Sequence, residues 1–583
     1  MLPLRTRTTY SLLAALCTSL VSLSAFAQPT PGTDAKPTDA KPTDAKPTDA
    51  KPADPPSDPK PATVEPKTDV EKKGTPDPSD ITRQSDFMDT RLTWTFGDDD
   101  ITKKTGEAQP ISPNFSVGDR PQYRLFFDNL NSRFAGRENL THLVVYKKLP
   151  GFIDGLTTEA AVVLRVDMAQ LASQSNNVNA AFYDSGSYLR IFYKTGKIDE
   201  KRDAGLDITL FPLDTDRFRL GYLYDISWGG TAQSINQSIF PRLVGQAPGA
   251  KFQYTDKMFY AFVGFKTAQI VEVQQSVNSK DLDVTRIQQT HSGFLGGGGV
   301  DFTENVRLDL GAGYFQQGRM EQADVLGERV YTFGASTRLV VHQNMPVPAS
   351  VDFQLYRNDP NNPMVIFRQE KYEPGKLSWS VAAEGTTLRQ NLKDFDRPGT
   401  TKLQAANAAA VSAVMKYGYL RVSAAGIFRD LAYVMRNQPG YIPFETTPAD
   451  AKTKPEAFFA LAADYYLESL HLTPSLGAGL QLPSQFSSTS VTIFGSDISS
   501  TVAIRQQGNI SILPQDKSAT PIVQARAQLR WDLSKMLAAA FWAQLVHDNN
   551  ATRLEKADDG TSQLRKFVAP DFLGFGTYVQ ARF

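Results

Sequence analysis

The sequence predicts an all-β fold: an antiparallel transmembrane β-barrel of about 18 strands (range 16–20), preceded by a disordered Pro-rich N-terminal segment. Three observations predict it. The chain begins with an export leader, its body alternates apolar and polar residues over long runs, and it ends on an apolar strand that closes with an aromatic residue.

Residues 1–27 have the pattern of a secretory signal peptide. Two arginines precede an apolar stretch over residues 11–23, and Ala25-Phe26-Ala27 supplies small residues for cleavage before Gln28. The apolar stretch is too short for a retained anchor helix. The only cysteine, Cys17, lies in this leader, so the mature chain is predicted to have no disulfide and no thiolate metal site.

Residues 28–86 are predicted to be a disordered tether in the periplasm. Thr-Asp-Ala-Lys-Pro repeats begin at Thr33, Thr38, Thr43 and Thr48. The regular prolines oppose helix and sheet, and the alternating Asp and Lys keep the segment solvated. Two interpretations stay open: a plain spacer, or a segment that contacts peptidoglycan or periplasmic proteins.

Residues 87–583 are predicted to form the barrel. Apolar residues recur at every second position, for example at Leu92, Trp94 and Phe96, at Phe218, Leu220, Tyr222 and Tyr224, and again in the run from Val523 to Trp531. This period is that of a strand with one apolar face. The runs are longer than common globular strands and suit tilted strands that cross a bilayer, which need about 9 to 11 residues.

Composition agrees with a barrel but does not select it. The chain has 62 Lys plus Arg and 62 Asp plus Glu, so no basic excess points to a nucleic-acid partner. Its mean hydropathy of −0.32 is too polar for a bundle of membrane helices. A closed barrel reconciles a polar average with a membrane, because one face of each strand can be polar while every backbone group is paired. A large soluble β-protein has the same composition.

The end of the chain carries a barrel-assembly signal. One face of the last strand is apolar and ends on an aromatic residue, with Phe575, Val579, Ala581 and Phe583 on that face. This resembles the C-terminal strand that the barrel assembly machinery recognises. The chain therefore resembles Gram-negative outer-membrane, porin-like barrels, and its opening at 88–100 is similar to myxobacterial barrels. The resemblance implies an outer-membrane location, surrounded by lipid and lipopolysaccharide.

Charged residues at strand centres are predicted to face the lumen, because arginine on the lipid face costs about 2–4 kcal/mol at the midplane. The candidates are Arg91, Arg124, Arg165, Arg190, Arg219, Arg307, Asp309, Glu384, Arg526 and Arg530. Two arrangements stay open. The charges either line a water-filled pore with a transverse field, or pair across neighbouring strands and hold a closed lumen together.

A barrel of this size encloses a channel unless something fills it. The tether leads almost directly into the first strand, which disfavours a folded N-terminal plug. Candidate loops for folding inward are 229–249, 390–404 and 437–455, and 405–415 is either a strand or a short lumenal helix. The run Gly296–Gly299 is predicted to allow a bend or close packing against something in the lumen.

Other chemistry is predicted to be absent. The five histidines are not at ligand spacing, so no metal site or cofactor is expected, and the chain is predicted not to be an enzyme. His547 near a strand end is interpreted as a loop histidine. Asp98-Asp99-Asp100 is interpreted as a solvated turn, with calcium binding as the alternative.

The sequence thus predicts a porin-like channel for small polar or ionic solutes. The alternative is a structural barrel that anchors an envelope, adhesion or gliding-motility complex, with the tether contacting peptidoglycan or periplasmic partners. The mixed charges of the strands favour the first function, and the repeats of the tether favour the second.

Overall fold

The structure is a computed structural model. It describes residues 86–98, 100–103, 114–117, 141–166, 182–184, 187–198, 203–213, 218–229, 248–278, 281–345, 347, 376–437, 445–488, 501–505, 510–534, 536–556 and 563–582. The predicted leader, almost all of the predicted tether, and Phe583 lie outside the described residues.

Strands dominate the described chain. The first thirteen are β1 (Asp86–Asp98), β2 (Asn114–Val117), β3 (Thr141–Pro150), β4 (Leu156–Val166), β5 (Phe182–Asp184), β6 (Tyr188–Lys197), β7 (Asp203–Phe211), β8 (Gly249–Thr255), β9 (Phe259–Asn278), β10 (Asp281–Thr303), β11 (Val306–Arg319), β12 (Arg329–Gln343) and β13 (Leu377–Lys393). The others are β14 (Thr401–Tyr417), β15 (Leu420–Arg429), β16 (Lys452–Lys454), β17 (Glu456–Tyr465), β18 (Leu472–Leu482), β19 (Ser484–Ser487), β20 (Val502–Ile504), β21 (Ile510–Ile512), β22 (Ile522–Asp532), β23 (Leu537–His547), β24 (Thr552–Lys556), β25 (Gln563–Phe567) and β26 (Asp571–Arg582). One α-helix, α1 (Leu431–Asn437), and two 3-10 turns, Tyr224–Ile226 and Glu468–Leu470, complete the described elements.

The large sheet closes on itself. Each strand pairs antiparallel with its neighbour, and the last strand, β26, pairs with β1 over Arg91–Asp98. Strands β2 and β3 share one place in the ring because both pair with β1, and β5 and β6 share another beside β4. In the described residues the closed sheet therefore has 18 strand positions, which confirms the predicted fold class.

The alternating residues of each strand point to opposite faces of the barrel wall. Large apolar side chains that point outward are exposed, such as Leu461 at 58% and Leu476 at 61%. Their strand neighbours that point inward are buried, such as Ala462 at 6% and Ser475 at 7%. The apolar face of the barrel is thus its outer face. No helix among the described residues is long and apolar enough to span a membrane.

The two ends of the barrel differ in their connections. Short turns join strands at one end, here called the turn end, at 151–155, 256–258, 304–305, 418–419 and 533–536. The connection 344–376 at the same end is longer. The opposite end, the loop end, carries the long connections 212–248, 430–455, 483–521 and 548–570. Both ends of the closed sheet, Asp86 and Arg582, lie at the turn end.

The loop-end connections contain their own structure. Helix α1 packs Leu431, Val434 and Met435 against Phe486, Val502, Ile504 and Ile512. Those partners come from the small sheet β16-β19-β20-β21, and β24 pairs with β25 in a separate hairpin. A small second core therefore sits at the loop end.

One predicted strand is wrong. The alternation of Phe218, Leu220, Tyr222 and Tyr224 predicted a strand, but the chain from Phe218 to Gly229 folds back on itself. The pattern misled because this segment is packed on both sides, so its polar and apolar residues do not divide between water and a core. The interval 405–415, by contrast, is part of strand β14.

Candidate functional site: the lumen and its inner segment

Residues Phe218–Gly229, here called the inner segment, lie against the inner wall of the barrel. A bridge between Leu220 and Trp228 closes the segment around the 3-10 turn Tyr224–Ile226. Four of its apolar side chains are fully buried: Phe218, Leu220 and Ile226 are 0% exposed and Trp228 is 1% exposed. Burial of such side chains contributes about 1.5–3 kcal/mol each. The segment is therefore a fixed part of the lumen.

Lys266 of β9 holds the two ends of the inner segment together. Its Nζ donates hydrogen bonds to the backbone oxygens of Phe218, at 2.5 Å, and Gly229, at 2.6 Å. The side chain is 1% exposed. The buried Lys266 thus fixes both ends of the inner segment on the wall. The two backbone carbonyl groups offset the free-energy cost of burying its charge.

Glu384 of β13 holds the turn of the segment. Its Oε1 accepts the backbone N–H of Tyr222 at 2.7 Å, and its Oε2 accepts that of Leu223 at 3.0 Å. Gly221 precedes this pair with φ of +99°, a conformation that favours glycine. A Cβ there would also lie 2.9 Å from Glu384 Oε1. The Glu384 carboxylate therefore accepts hydrogen bonds from two backbone N–H groups that have no access to water inside the barrel.

A series of side-chain hydrogen bonds links the inner segment to β12 and β13. Trp228 Nε1 donates to Ser336 Oγ at 3.0 Å, which lies 2.9 Å from Thr386 Oγ1. Thr386 Oγ1 donates to the backbone oxygen of Ile226 at 3.1 Å, and Tyr433 of α1 donates to the same oxygen at 2.6 Å. Two loop-end connections therefore meet inside the barrel at one carbonyl.

A polar cluster lies beside the segment. Tyr222 shares a short hydroxyl hydrogen bond with Tyr260, and Tyr260 donates to Asp309 Oδ1 at 2.7 Å. Arg338 donates to Asp309 Oδ2 from Nε at 2.9 Å and from Nη2 at 2.8 Å. Its guanidinium carbon lies 3.2 Å from the centroid of the Tyr222 ring. The arginine therefore joins the wall and the segment by charge and by stacking.

Glycines in β10 and β11 make room for the segment. A Cβ on Gly311 would lie 2.8 Å from Leu220 Cδ2, and a Cβ on Gly313 would lie 3.1 Å from Leu220 Cδ1. A Cβ on Gly297 would meet the ring of Phe262 at 2.9 Å. Strand β10 continues without interruption through Gly296–Gly299. The inward-facing Gly297 and Gly299 allow close packing in the lumen, one of the two roles predicted for the run, whereas Gly296 and Gly298 face outward.

Asp225 sits at the tip of the segment, near strands β15 and β17. Burial raises its pKa to about 6, and the Arg429 guanidinium, 3.9 Å away, opposes that rise. Arg429 also pairs with Glu456 at 2.5 Å. Arg429 therefore interacts with two acids at this tip, Asp225 and Glu456.

The inward charges pair across neighbouring strands. Arg190 pairs with Glu159 at 3.1 Å and also with Asp207. Two further cross-strand pairs are Arg338–Asp309 at 2.8 Å and Arg421–Asp464 at 2.6 Å. Arg530 instead pairs within its own strand, with Asp532 at 2.9 Å. These described charges are therefore ion-paired on the inner face.

The remaining lumen candidates fall into three groups. Arg307 pairs with Asp301, with Nε 2.6 Å from Oδ1, and Arg526 Nη2 donates to Gln544 Oε1 at 3.0 Å. Arg219 lies in the inner segment, where it donates to Ser227. The side chains of Arg91 and Arg165, and all of Arg124, lie outside the described residues.

The predicted assembly face lies on the outside of the last strand. Phe575 is 40% exposed and Val579 is 38% exposed. Ala581 pairs with Leu92 of β1, on the same outward face. Phe583 lies outside the described residues, so the role of this face in assembly stays a prediction.

The loops predicted to fold inward are only partly described. Residues 390–404 form the ends of β13 and β14 with the turn between them, and residues 230–247 and 438–444 lie outside the described residues. Sequence reasoning missed Lys266, Arg338 and Tyr433. The signal in the sequence was the group of glycines in β10 and β11. It indicated that another part of the chain packs closely against these strands, but not which part.

The other chemical groups are placed as follows. Among the described residues, no three His, Cys, Asp or Glu side chains come together as a group that can hold a metal ion. His547 Nδ1 lies 2.7 Å from Asp571, and its Nε2 lies 2.8 Å from Asn549 Nδ2. Asp100 accepts from the Thr102 backbone and hydroxyl, as in a capped turn.

Comparison with known proteins returns structures only. No family model matches the chain, and no curated protein matches it. OpdQ of Pseudomonas aeruginosa is 9% identical, with 85% of this chain and 96% of that chain covered and a TM-score of 0.34. OccAB2 of Acinetobacter baumannii is 7% identical, with coverage of 85% and 98% and a TM-score of 0.39. OmpT, an outer membrane protein of Vibrio cholerae, is 8% identical, with coverage of 85% and 97% and a TM-score of 0.31.

Proposed function

We propose that the chain is an outer-membrane, porin-like channel for small polar or ionic solutes, narrowed on one side by the inner segment. The observation that carries this proposal is the division of the closed wall into an exposed apolar outer face and a polar, charged inner face. That division suits lipid outside and water inside. The proposed orientation puts the turn end, with Asp86, in the periplasm, and the loop end outside the cell.

The position of the inner segment supports a narrowed lumen. Its described contacts fall on the strands from β7 to β15, on α1 and, at the tip, on Glu456 of β17. On the other side, the inward face of β22 and β23 carries Gln528, Gln544, Arg526 and Arg530. Amides and arginines there suit a hydrated path for polar solutes.

Planar-bilayer recording of the full mature chain tests the proposal. We expect steady single-channel steps, and larger steps when Phe218–Gly229 is replaced by a short Gly-Ser linker, because the path widens. Removal of residues 557–562 from the β24–β25 hairpin is the matched control and should leave the steps unchanged. Absence of conduction by both the wild type and the linker variant would contradict a channel.

A second function is favoured by the repeats in residues 28–86, which a minimal pore does not need. In that case the barrel anchors an envelope, adhesion or gliding-motility complex, and the tether contacts peptidoglycan or periplasmic proteins. A periplasmic protein that co-purifies only when residues 28–80 are present, together with no conductance, would select this function. The myxobacterial likeness of the first strand stays a prediction.

A further inference from the structure

The wall formed by β10 to β14 has a recess of about 640 Å³. Its lining includes Gly296, Gly298, Ala312, Ala335 and Gly385. By register, Gly296, Ala312, Ala335 and Thr387 form one cross-strand row, and Gly298, Leu310, Thr337 and Gly385 form the next. Leu310 in these rows is 55% exposed. The lining also includes residues at inward-facing positions, Gly297, Gly311, Ser336, Thr386 and Ala408, but no residue of the inner segment, which covers the lumenal side of this wall through contacts such as that of Thr386 with Ile226. The recess therefore opens on the outer face.

Large side chains border the recess on both sides. Toward the loop end, the next outward row is aromatic, with Phe265, Phe294, Tyr314 and Phe333 in register on four strands. Toward the turn end, the next row is Val300, Leu308, Leu339, Ala383 and Val411. The small residues thus make a local hollow in an otherwise well-covered apolar face.

Arg389 continues the aromatic row at the loop-end border of the recess. It is paired with Phe333, lies two residues from the lining residue Thr387, and is exposed. Its hydrogen bonds within the described residues use Nη1, which donates to Thr387 Oγ1 at 3.2 Å and to the Leu388 oxygen at 2.9 Å. Nε and Nη2 take no part in these bonds and can donate to an anionic group, in competition with Asp430, with which Arg389 interacts electrostatically.

An arginine on the outer face is costly at the bilayer midplane and cheap near an interface. Arg389 with its aromatic row therefore marks the loop-end boundary of the apolar band. Aromatic side chains are common at that depth in membrane barrels. An apolar hollow directly below an exposed guanidinium is complementary to a lipid that has an acyl chain and an anionic head group.

We infer that this recess binds a phosphorylated, acylated glycolipid of the outer leaflet, with one acyl chain in the hollow and a phosphate at Arg389. The inference rests on the proposed outer-membrane orientation, which puts the loop end in that leaflet, and not on conduction. The small side chains admit the chain, and the planar guanidinium offers the two parallel donors that suit a phosphate.

Lipid titration of the purified full chain in detergent tests this site, with native mass spectrometry as the measurement and purified lipid A as the probe. Ala335→Leu fills the hollow, and Arg389→Gln removes the cation. We expect each to weaken lipid A binding about tenfold, the effect of one lost hydrogen bond to a charged group or of one blocked apolar contact. Phosphatidylcholine should bind weakly to every variant.

Two matched variants control for the added bulk and the lost charge. Ala527→Leu adds the same side chain to the outward face of β22, and Arg553→Gln removes an exposed arginine from the β24–β25 hairpin. Both should bind lipid A as the wild type does. Equal affinity in all five proteins overturns the site, as does equal binding of phosphatidylcholine or of phosphatidylglycerol.

A second copy of this chain is the competing occupant. A dimer in light scattering that Ala335→Leu abolishes, with lipid A binding unchanged, would overturn the lipid assignment in its favour. Conductance is not a readout in these titrations. A failure to conduct therefore contradicts the proposed channel alone, and a failure to bind lipid A contradicts the recess alone.

Discussion

At the residue scale, single side chains fix the inner segment at separate points. Lys266 binds its two ends, Glu384 binds its turn, and Arg338 stacks on its Tyr222. Each of these groups is buried and charged, so each needs its partner in the segment to offset its own desolvation. Removal of one partner therefore costs more than the loss of an ordinary surface hydrogen bond.

Glu384→Ala should loosen the inner segment without opening the barrel. It leaves the N–H groups of Tyr222 and Leu223 buried without their acceptor, at a cost of about 1–3 kcal/mol for each. We expect the backbone amides of residues 218–229 to exchange with deuterium faster in the folded variant than in the wild type. Glu555→Ala in the exposed hairpin is the control, and an unchanged exchange rate in Glu384→Ala would show that the carboxylate does not hold the segment.

Asp225 should make the packing of the segment depend on pH. Its pKa of about 6 inside the barrel, against 3.8 in its ordinary state, means that the neutral carboxyl is the better packed form. The stabilisation is complete below about pH 4 and is lost as the pH rises through 6, when the charged form must be buried. Arg429, Glu456 and Arg219 are the charged groups around it.

In bilayer recordings, this predicts larger current fluctuations at pH 7 than at pH 4. Asp225→Asn removes the titrating group and should make the fluctuations equal at the two values. If the Asn variant keeps the full pH response, another group is responsible. Arg429 and Glu456, which lie on the wall, are then the next to change.

At the element scale, the seam between the first and last strands is covered from inside by one indole. Gly97 of β1 pairs with Gly576 of β26, and Trp542 of β23 pairs with Gly576. The Trp542 ring lies over both glycines, and a Cβ on Gly97 would already approach its Cζ2 at 3.4 Å. An aromatic side chain laid over strand glycines supplies the packing that they lack.

Gly576→Val should therefore prevent proper closure of the barrel. The new side chain overlaps the Trp542 ring and also approaches the backbone oxygen of Phe96 on β1. We expect loss of the heat-modifiable, compact band in semi-native gel electrophoresis. Ala543→Val adds similar bulk on the outward face of β23 and should keep that band, and a normal band for Gly576→Val would mean that the indole moves freely.

The sequence predicted the elements better than the site. Alternation is enough for strands such as β22, because a two-faced wall between lipid and lumen sorts side chains by polarity at every second position. It failed for Phe218–Gly229, where both sides of the chain are buried. It also could not pair Glu384 with Tyr222, which lies 162 positions away, since such a contact depends on the curvature of the whole ring.

At the scale of the whole molecule, the apolar band decides where the barrel resides. On β18 the outward residues run from Leu472 to Leu482, a length that matches a tilted strand crossing a hydrocarbon layer of about 25 Å. Leu476 lies at the centre of that run and is 61% exposed. The β24–β25 hairpin lies outside this apolar band, at the loop end, where Leu554 is exposed.

Leu476→Arg should destabilise the barrel in lipid vesicles by about 2–4 kcal/mol, the cost of arginine at the midplane. Leu554→Arg makes the same exchange on the hairpin and should be close to neutral. Reversible urea unfolding, followed by tryptophan fluorescence, measures both free energies. Equal effects of the two exchanges would mean that the band does not contact hydrocarbon.

The anchoring of the inner segment also has a consequence for the order of assembly. Its described partners lie between β7 and β17 in the chain, and none of them belongs to β1 or β26, whose pairing closes the ring. The segment can therefore settle on a curved, still open sheet while its core is accessible. Pairing of β1 with β26 then closes the barrel around a segment that is already packed. The last step of folding therefore does not require a loop to enter a closed barrel.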